Sequence, residues 1–246
     1  MNGRSVLWLL VLVVSSAFGE SADRPVVVVE LFTSQGCSSC PPADKLLSQL
    51  VAGDLLDDID VIGISEHVDY WNSLGWVDPF SDSRFSERQR AYGRAASRFN
   101  AYTPQMIVDG KVAFVGHDRV QAIQAIREAA KRPRAKLDLT LDGLELTVEI
   151  SYLPKTKHNV RYDVMLALIE DGIEVEVSRG ENAGRVLMND GVARRIQRIG
   201  LVRSEDGMAT VVHTIEMQSD WDRENMRVVV FLQSRRDMAI AGAIQR

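Results

Sequence analysis

The sequence contains only two cysteines in 246 residues, and what is missing around them narrows their role. There is no second pair to complete the four-ligand tetrahedral set that a structural zinc ion requires. Cys37 and Cys40 are separated by two residues, so a bridge between them would close a very small loop and remove little freedom from the unfolded chain. A reactive dithiol is therefore expected rather than a structural staple. The chain also lacks a basic tract. It has 29 Lys and Arg against 34 Asp and Glu, a net charge of −5, and no run of cations able to follow a phosphate backbone, so nucleic acid is not an expected partner. Internal repeats and low-complexity tracts are absent as well.

Long apolar runs are equally scarce. The stretch Val6 to Val14 falls well short of the roughly 20 residues that span a bilayer. It follows Arg4 and precedes small residues near Ala17 and Gly19, which is the layout of a secretory signal peptide. Residues 1–19 are read as that signal. The expected location is secreted or periplasmic, with no stable membrane insertion after cleavage, and such compartments let disulfides persist.

The patterning of the remainder divides in two. Val26 to Thr33 is a continuous β-branched and apolar run, as expected of a strand buried on both faces. The dithiol follows it at once, and Asp44 to Val51 then carries Leu46, Leu47, Leu50 and Val51 at helical spacing. Asp60 to Ser65 reads as a second buried strand, parallel to the first through a right-handed crossover. A polar and aromatic loop over 66–82 leads to an amphipathic helix over 83–99. The short strands 105–108 and 112–115 are joined by Asp109-Gly110, a tight hairpin turn, and Asp118 stands where a cap belongs before a helix at 120–130. A proline-broken, charged segment at 131–136 marks the expected linker. Beyond it the pattern has period two, with strands near 137–141, 144–150, 160–170, 173–178, 208–217 and 226–233. The predicted fold class is an α/β domain at 20–130, a mixed sheet flanked by helices, followed by an all-β sandwich-like domain at 137–246.

A Cys-x-x-Cys pair between a strand and a helix suits thiol exchange, with one sulfur exposed to attack and the other close enough to resolve a mixed disulfide. His67 and Asp69 follow the second strand at the same sheet edge and are candidate proton shuttles; the alternative for His67 is a backbone-bonded loop anchor. His117 reads as a surface residue, His158 and His213 as structural. The polar loop Arg179 to Arg185 reads as a salt-bridged contact docking one half on the other, the alternative being a recognition surface.

Taken together, Val26 to Thr33, Cys37 to Cys40, the second strand, Thr103-Pro104 before a hairpin and Gly116 before the last helix resemble the thioredoxin superfamily over about residues 25–130. Phe32 to Asp44, His67 to Trp71, Tyr102 to Met106 and Arg179 to Arg185 resemble more closely an exported thioredoxin-like family of unknown function, DUF1223. The resemblance implies a thioredoxin-like fold, Cys37 as attacking sulfur, Cys40 as resolving sulfur, and Thr103 with a cis Pro104 as the backbone that receives a substrate. It implies no cofactor and no metal. One departure is that Pro41 and Pro42 set the helix start after the dithiol. The expected activity is thiol-disulfide exchange with protein or small-molecule thiols and disulfides. Two alternatives are a copper or other soft-metal delivery module built from Cys37, Cys40 and His67, and a non-enzymatic interaction protein.

Overall fold

The computed structural model describes residues 24–96, 100–154 and 159–246. The proposed signal at 1–19, His158 and the last three residues of the expected 83–99 helix lie outside them. Strand β1 (Val26–Thr33) pairs in parallel with β2 (Asp60–His67), in a register that sets Thr33 opposite His67. Both strands therefore end at one edge, and helix α1 (Pro41–Val51) makes the crossover between them. On the other side of β1 runs the antiparallel hairpin β3 (Gln105–Val108) and β4 (Val112–Val115). Asp109 and Gly110 turn it with φ of 47° and 67°, the pair of positive angles that matches the twist of a hairpin.

The pleat assigns alternate residues of the two central strands to opposite faces. Val27, Val29, Leu31 and Val61 pack with Leu46, Leu47 and Leu50 of α1 and with α3 (Arg119–Ala130), which Asp118 caps through the Gln121 N–H. Val28, Ile62 and Ile64 pack on the other face with Phe85 of α2 (Ser83–Ala96). A 3-10 helix, Asp69–Leu74, connects β2 toward α2.

The second half is not a free-standing sandwich, which corrects the expectation of a separate domain beyond a linker. It supplies β5 (Lys136–Asp142), β6 (Glu145–Tyr152), β7 (Arg161–Glu170), β8 (Ile173–Val177), β9 (Arg185–Asn189), β10 (Val192–Arg203), β11 (Ala209–Thr214), β12 (Met226–Ser234) and β13 (Ile240–Gln245). Four of these extend the first sheet, giving one mixed eight-stranded sheet in the order β13-β12-β7-β10-β2-β1-β3-β4. The join is Val192 of β10 against Ser65 of β2. Gly191 makes it possible, because a Cβ there would stand 2.8 Å from the Gly63 carbonyl oxygen, and the Gly191 carbonyl instead accepts the Ser65 N–H at 2.7 Å. The sandwich-like part is local. Sheet β11-β6-β5 lays Leu146, Val148 and Ile150 over Val164, Leu166, Leu168, Val230 and Leu232. The charged segment before β5 is also bonded in place, with Arg134 on Asp109 and the Ala135 N–H on the Ala241 carbonyl. Among the described residues no helix is long and apolar enough to cross a membrane.

Candidate active site

The carboxyl end of β1 and the amino end of α1 hold the two cysteines, both as free thiols. Cys40 occupies the position before Pro41, and its carbonyl accepts the Ala43 and Asp44 N–H groups, so it opens the helix while Cys37 lies in the turn before it. The Thr103–Pro104 peptide bond is cis. Thr103 faces Cys37, and its hydroxyl accepts the Trp71 indole N–H at 2.7 Å. That acceptance leaves the hydroxyl proton of Thr103 free to point at the sulfur.

Cys37 is surrounded by donors. The Cys40 thiol contributes most to lowering its pKa, burial opposes this, and the Ser39 hydroxyl at 3.3 Å and Thr103 add to the lowering; the result is a thiol pKa of about 6 rather than 9. Cys40 moves the other way. Burial, the hydrogen bond it gives to Cys37, and the charge of Asp44 hold it firmly protonated. The pair is thus divided into a thiolate and a thiol at neutral pH.

Beneath the sulfurs lies a buried polar group that the sequence reading did not single out in full. Asp44 on the first turn of α1 has its carboxyl pushed up to about 7 by burial, although the nearby charge of His67 works against the shift. The Thr33 hydroxyl faces both Asp44 and Cys40, without a hydrogen bond of regular geometry to either. His67 gives its Nδ1 to Asp78 at 2.7 Å, while its Nε2 has no partner among the described residues. Burial disfavours a charged imidazole, but the Asp78 carboxylate outweighs it and raises the His67 pKa. Asp78 is in turn lowered, since His67 and the Gln35 and Phe80 N–H groups overcome the effect of burial.

The expected site residues are therefore only partly brought together. Cys37, Cys40, Thr103 and Pro104 converge. His67 stands in the layer below, oriented by Asp78. Asp69 is corrected as a proton shuttle: its carboxylate accepts the Ser86 hydroxyl at 2.5 Å and fastens the 3-10 helix to α2. The tight winding of that helix turns the next two residues to the dithiol instead. Tyr70 has its hydroxyl pKa raised to about 12, first by burial and further by the charge of the two sulfurs, and it donates to Gln89 at 3.2 Å. Cys37 is also not the exposed sulfur that was expected. It is 1% exposed and Cys40 0%. Cys40, Ser39 and Thr103 surround the sulfur, and the loop between β8 and β9 is bonded to the same turn, where the fully buried Asn182 donates to the carbonyls of Gln35 and Cys37, 2.9 Å each, and Glu181 accepts the Ser38 N–H. The loop docks one half on the other, as its composition suggested, although by amide and backbone bonds rather than by ion pairs. Among the described residues no three His, Cys, Asp or Glu side chains are grouped to hold a metal ion.

No curated protein matches the chain. Among solved structures, a crystal structure of an Agrobacterium tumefaciens protein superposes with a TM-score of 0.68 at 29% identity, covering 89% of this chain and 92% of that one. A domain of the outer membrane lipoprotein Omp28 from Porphyromonas gingivalis gives a TM-score of 0.24 at 13% identity, over 46% of this chain and 86% of that one. The family model for proteins of unknown function designated DUF1223 matches residues 28–233, across both halves of the shared sheet, and the chain belongs to that family.

Proposed function

We propose that the chain is an exported thiol-disulfide oxidoreductase whose thioredoxin-like unit, about residues 25–130, works through the Cys37-Ser38-Ser39-Cys40 dithiol. The observation that carries this reading is the division of labour between the sulfurs. Cys37 is ringed by three donors and titrates near 6, and Cys40 lies protonated beneath it against a carboxyl that titrates near 7. In the first step the Cys37 thiolate attacks a substrate disulfide; a Cys37–substrate bond forms and the substrate's second sulfur leaves as a thiolate. In the second step Cys40 loses its proton and attacks the Cys37 sulfur, which releases the remaining substrate thiol and leaves the Cys37–Cys40 disulfide. A group that accepts a proton at neutral pH must have a pKa near 7, and Asp44 has the value and the position. The Asp78 carboxylate raises the His67 pKa, and a charge on His67 beside Asp44 favours the ionised carboxyl.

The two single cysteine variants test this. Cys40→Ser is expected to accumulate mixed disulfides with its substrate, because the attacking sulfur then has no resolver, and Cys37→Ser is expected to trap almost nothing. Thiol-specific mass spectrometry reads both. Equal trapping by the two variants would contradict the roles, and bound copper in the wild type with no trapping in either would replace this reading with metal delivery.

A further inference from the structure

We infer that the loop joining β8 to β9 closes this dithiol to folded protein partners, and that its substrate is a low-molecular-weight disulfide. The inference rests on the exchange activity proposed above and specifies what that activity acts on. A protein substrate would have to bring an extended segment against Thr103–Pro104 and set a disulfide in line with the Cys37 sulfur. The loop is bonded to the dithiol turn that such a segment would have to reach. Asn182 ties both the Gln35 and the Cys37 carbonyls to it, and the Asn182 side-chain oxygen is itself held by Arg185 at 3.0 Å. Glu181 takes the Ser38 N–H at 2.9 Å, and Gly180 lies against the Trp76 side chain.

The hairpin is also pinned at its other end. Gln35 donates to Asn189 at 3.4 Å, and Ser48 on α1 donates to Asp190 at 2.6 Å. Contacts at 35, 37, 38 and 48 thus hold one strand pair over both the dithiol turn and the helix behind it. The buried amide matters most, since a carbonyl of the dithiol turn stripped of its donor must find another partner or be desolvated unpaired. What remains exposed beside the dithiol is Ser39 and the 38%-exposed Tyr70, with the hydroxyls of Ser39 and Thr103 next to the Cys37 sulfur.

The chemistry balances with such a substrate alone. The reduced dithiol gives two electrons to RS–SR, one sulfur–sulfur bond breaks as the Cys37–Cys40 bond forms, and two RSH leave, one proton coming from the Cys40 thiol and the other from solvent because Cys37 reacts as its thiolate. Two equivalents of an external thiol then restore the dithiol and leave as their own disulfide.

The test compares hydroxyethyl disulfide with insulin as oxidants of the reduced full-length chain, each rate divided by that of dithiothreitol with the same disulfide. The wild type is expected to prefer hydroxyethyl disulfide by at least about 100-fold on this scale, a difference in access and not in sulfur chemistry. In Asn182→Ala the insulin-to-hydroxyethyl-disulfide ratio should rise by about tenfold or more, as the turn loses its tie. Glu181→Ala, which removes only a surface contact, should move the ratio the same way by a smaller factor and serves if the buried variant does not fold. Insulin oxidising the wild type as readily as the small disulfide would overturn the cover while leaving the exchange activity intact. A ratio unchanged in every folded variant would do the same. No reaction with either disulfide, with Cys37 still open to iodoacetamide, would instead remove the exchange reading and the substrate assignment with it.

Discussion

Strands β1 and β2 carry two buried polar clusters, one on each face, and the contrast between them separates chemistry from architecture. On the α2 face, Arg88 donates to Glu30 at 2.6 Å and to Gln233 of β12 at 2.9 Å; Tyr92 also donates to Glu30, and Gln233 donates to Tyr92 at 2.7 Å. Glu66 lies 3.4 Å from the same guanidinium without a regular hydrogen bond, and burial together with the Glu30 charge raises its pKa. On the α1 face, Thr33, Asp44 and His67 each leave a buried oxygen or nitrogen without a regular hydrogen bond, and they lie below a sulfur. Groups aimed at one another hold two halves of a molecule together. Glu66 is left unmatched too, but on the face away from the dithiol; in the proposed exchange it is the unmatched groups beside Cys37 and Cys40 that are placed to move a proton.

The largest expected effect is on the first cluster. Arg88→Ala leaves Glu30 buried beside Glu66 with no cation, and breaking a buried pair of this kind costs about 3–5 kcal/mol. Urea unfolding should show the loss, while the pH midpoint of Cys37 alkylation stays near 6. A variant that kept wild-type stability would mean that the junction through Gln233 holds without its ion pair.

Asp44→Asn should have the opposite character. The native carboxyl titrates near 7 instead of 3.8, so the folded chain keeps a proton that the unfolded chain releases. Folded-state stability therefore falls as pH rises from about 4 through about 7. The amide removes that dependence. At pH 8 the variant should be more stable than the wild type by about 2–4 kcal/mol, and the difference should vanish near pH 4. Release of the mixed disulfide by Cys40 should slow by about tenfold or more, the usual scale for losing a positioned base. Faster or unchanged release would assign the proton to another group.

Much of the α/β half was legible because its strands are continuous apolar runs and its turns carry residues with one reading: Asp109-Gly110 in a hairpin, Pro41 at a helix start, Asp118 at a cap. The second half was less so. Strand β10, Val192–Arg203, reads Val-Ala-Arg-Arg-Ile-Gln-Arg-Ile, where arginines interrupt the alternation, yet it is the strand that joins the halves. Its arginines are satisfied by partners distant in sequence, such as Glu170 for Arg194 and Glu216 for Arg195, and local periodicity carries no trace of them. Strands β9 and β13 are short and pair only through their neighbours. At the site, the dithiol and the Thr103-Pro104 pair were visible as motifs. Asp44 was not, because an acidic residue in the first turn of a helix is ordinary there and only burial makes it unusual. Of His67 and Asp69, two residues apart, the extended end of β2 buries the first and the 3-10 turn sends the second to Ser86.

The smallest effect, and the one that most sharpens the contrast, concerns Trp71. Its indole N–H fixes the Thr103 hydroxyl, and through that hydroxyl it helps hold Cys37 as a thiolate. Trp71→Phe keeps an aromatic ring against Gly36 but removes the donor, so the Thr103 proton is free to turn away from the sulfur. The stability cost should be only about 1 kcal/mol, the net worth of one hydrogen bond. The pH midpoint for Cys37 alkylation should rise from near 6 by about half a unit to one unit, since one of several donors weakens and the Cys40 and Ser39 contributions remain. Thr103→Ala should raise it at least as far, and combining the two should add little, because both act through the same hydroxyl. If the two shifts instead add in full, Trp71 acts on the sulfur by a route other than Thr103. A midpoint unmoved in both variants would leave Cys40 and Ser39 as the donors that set the thiolate.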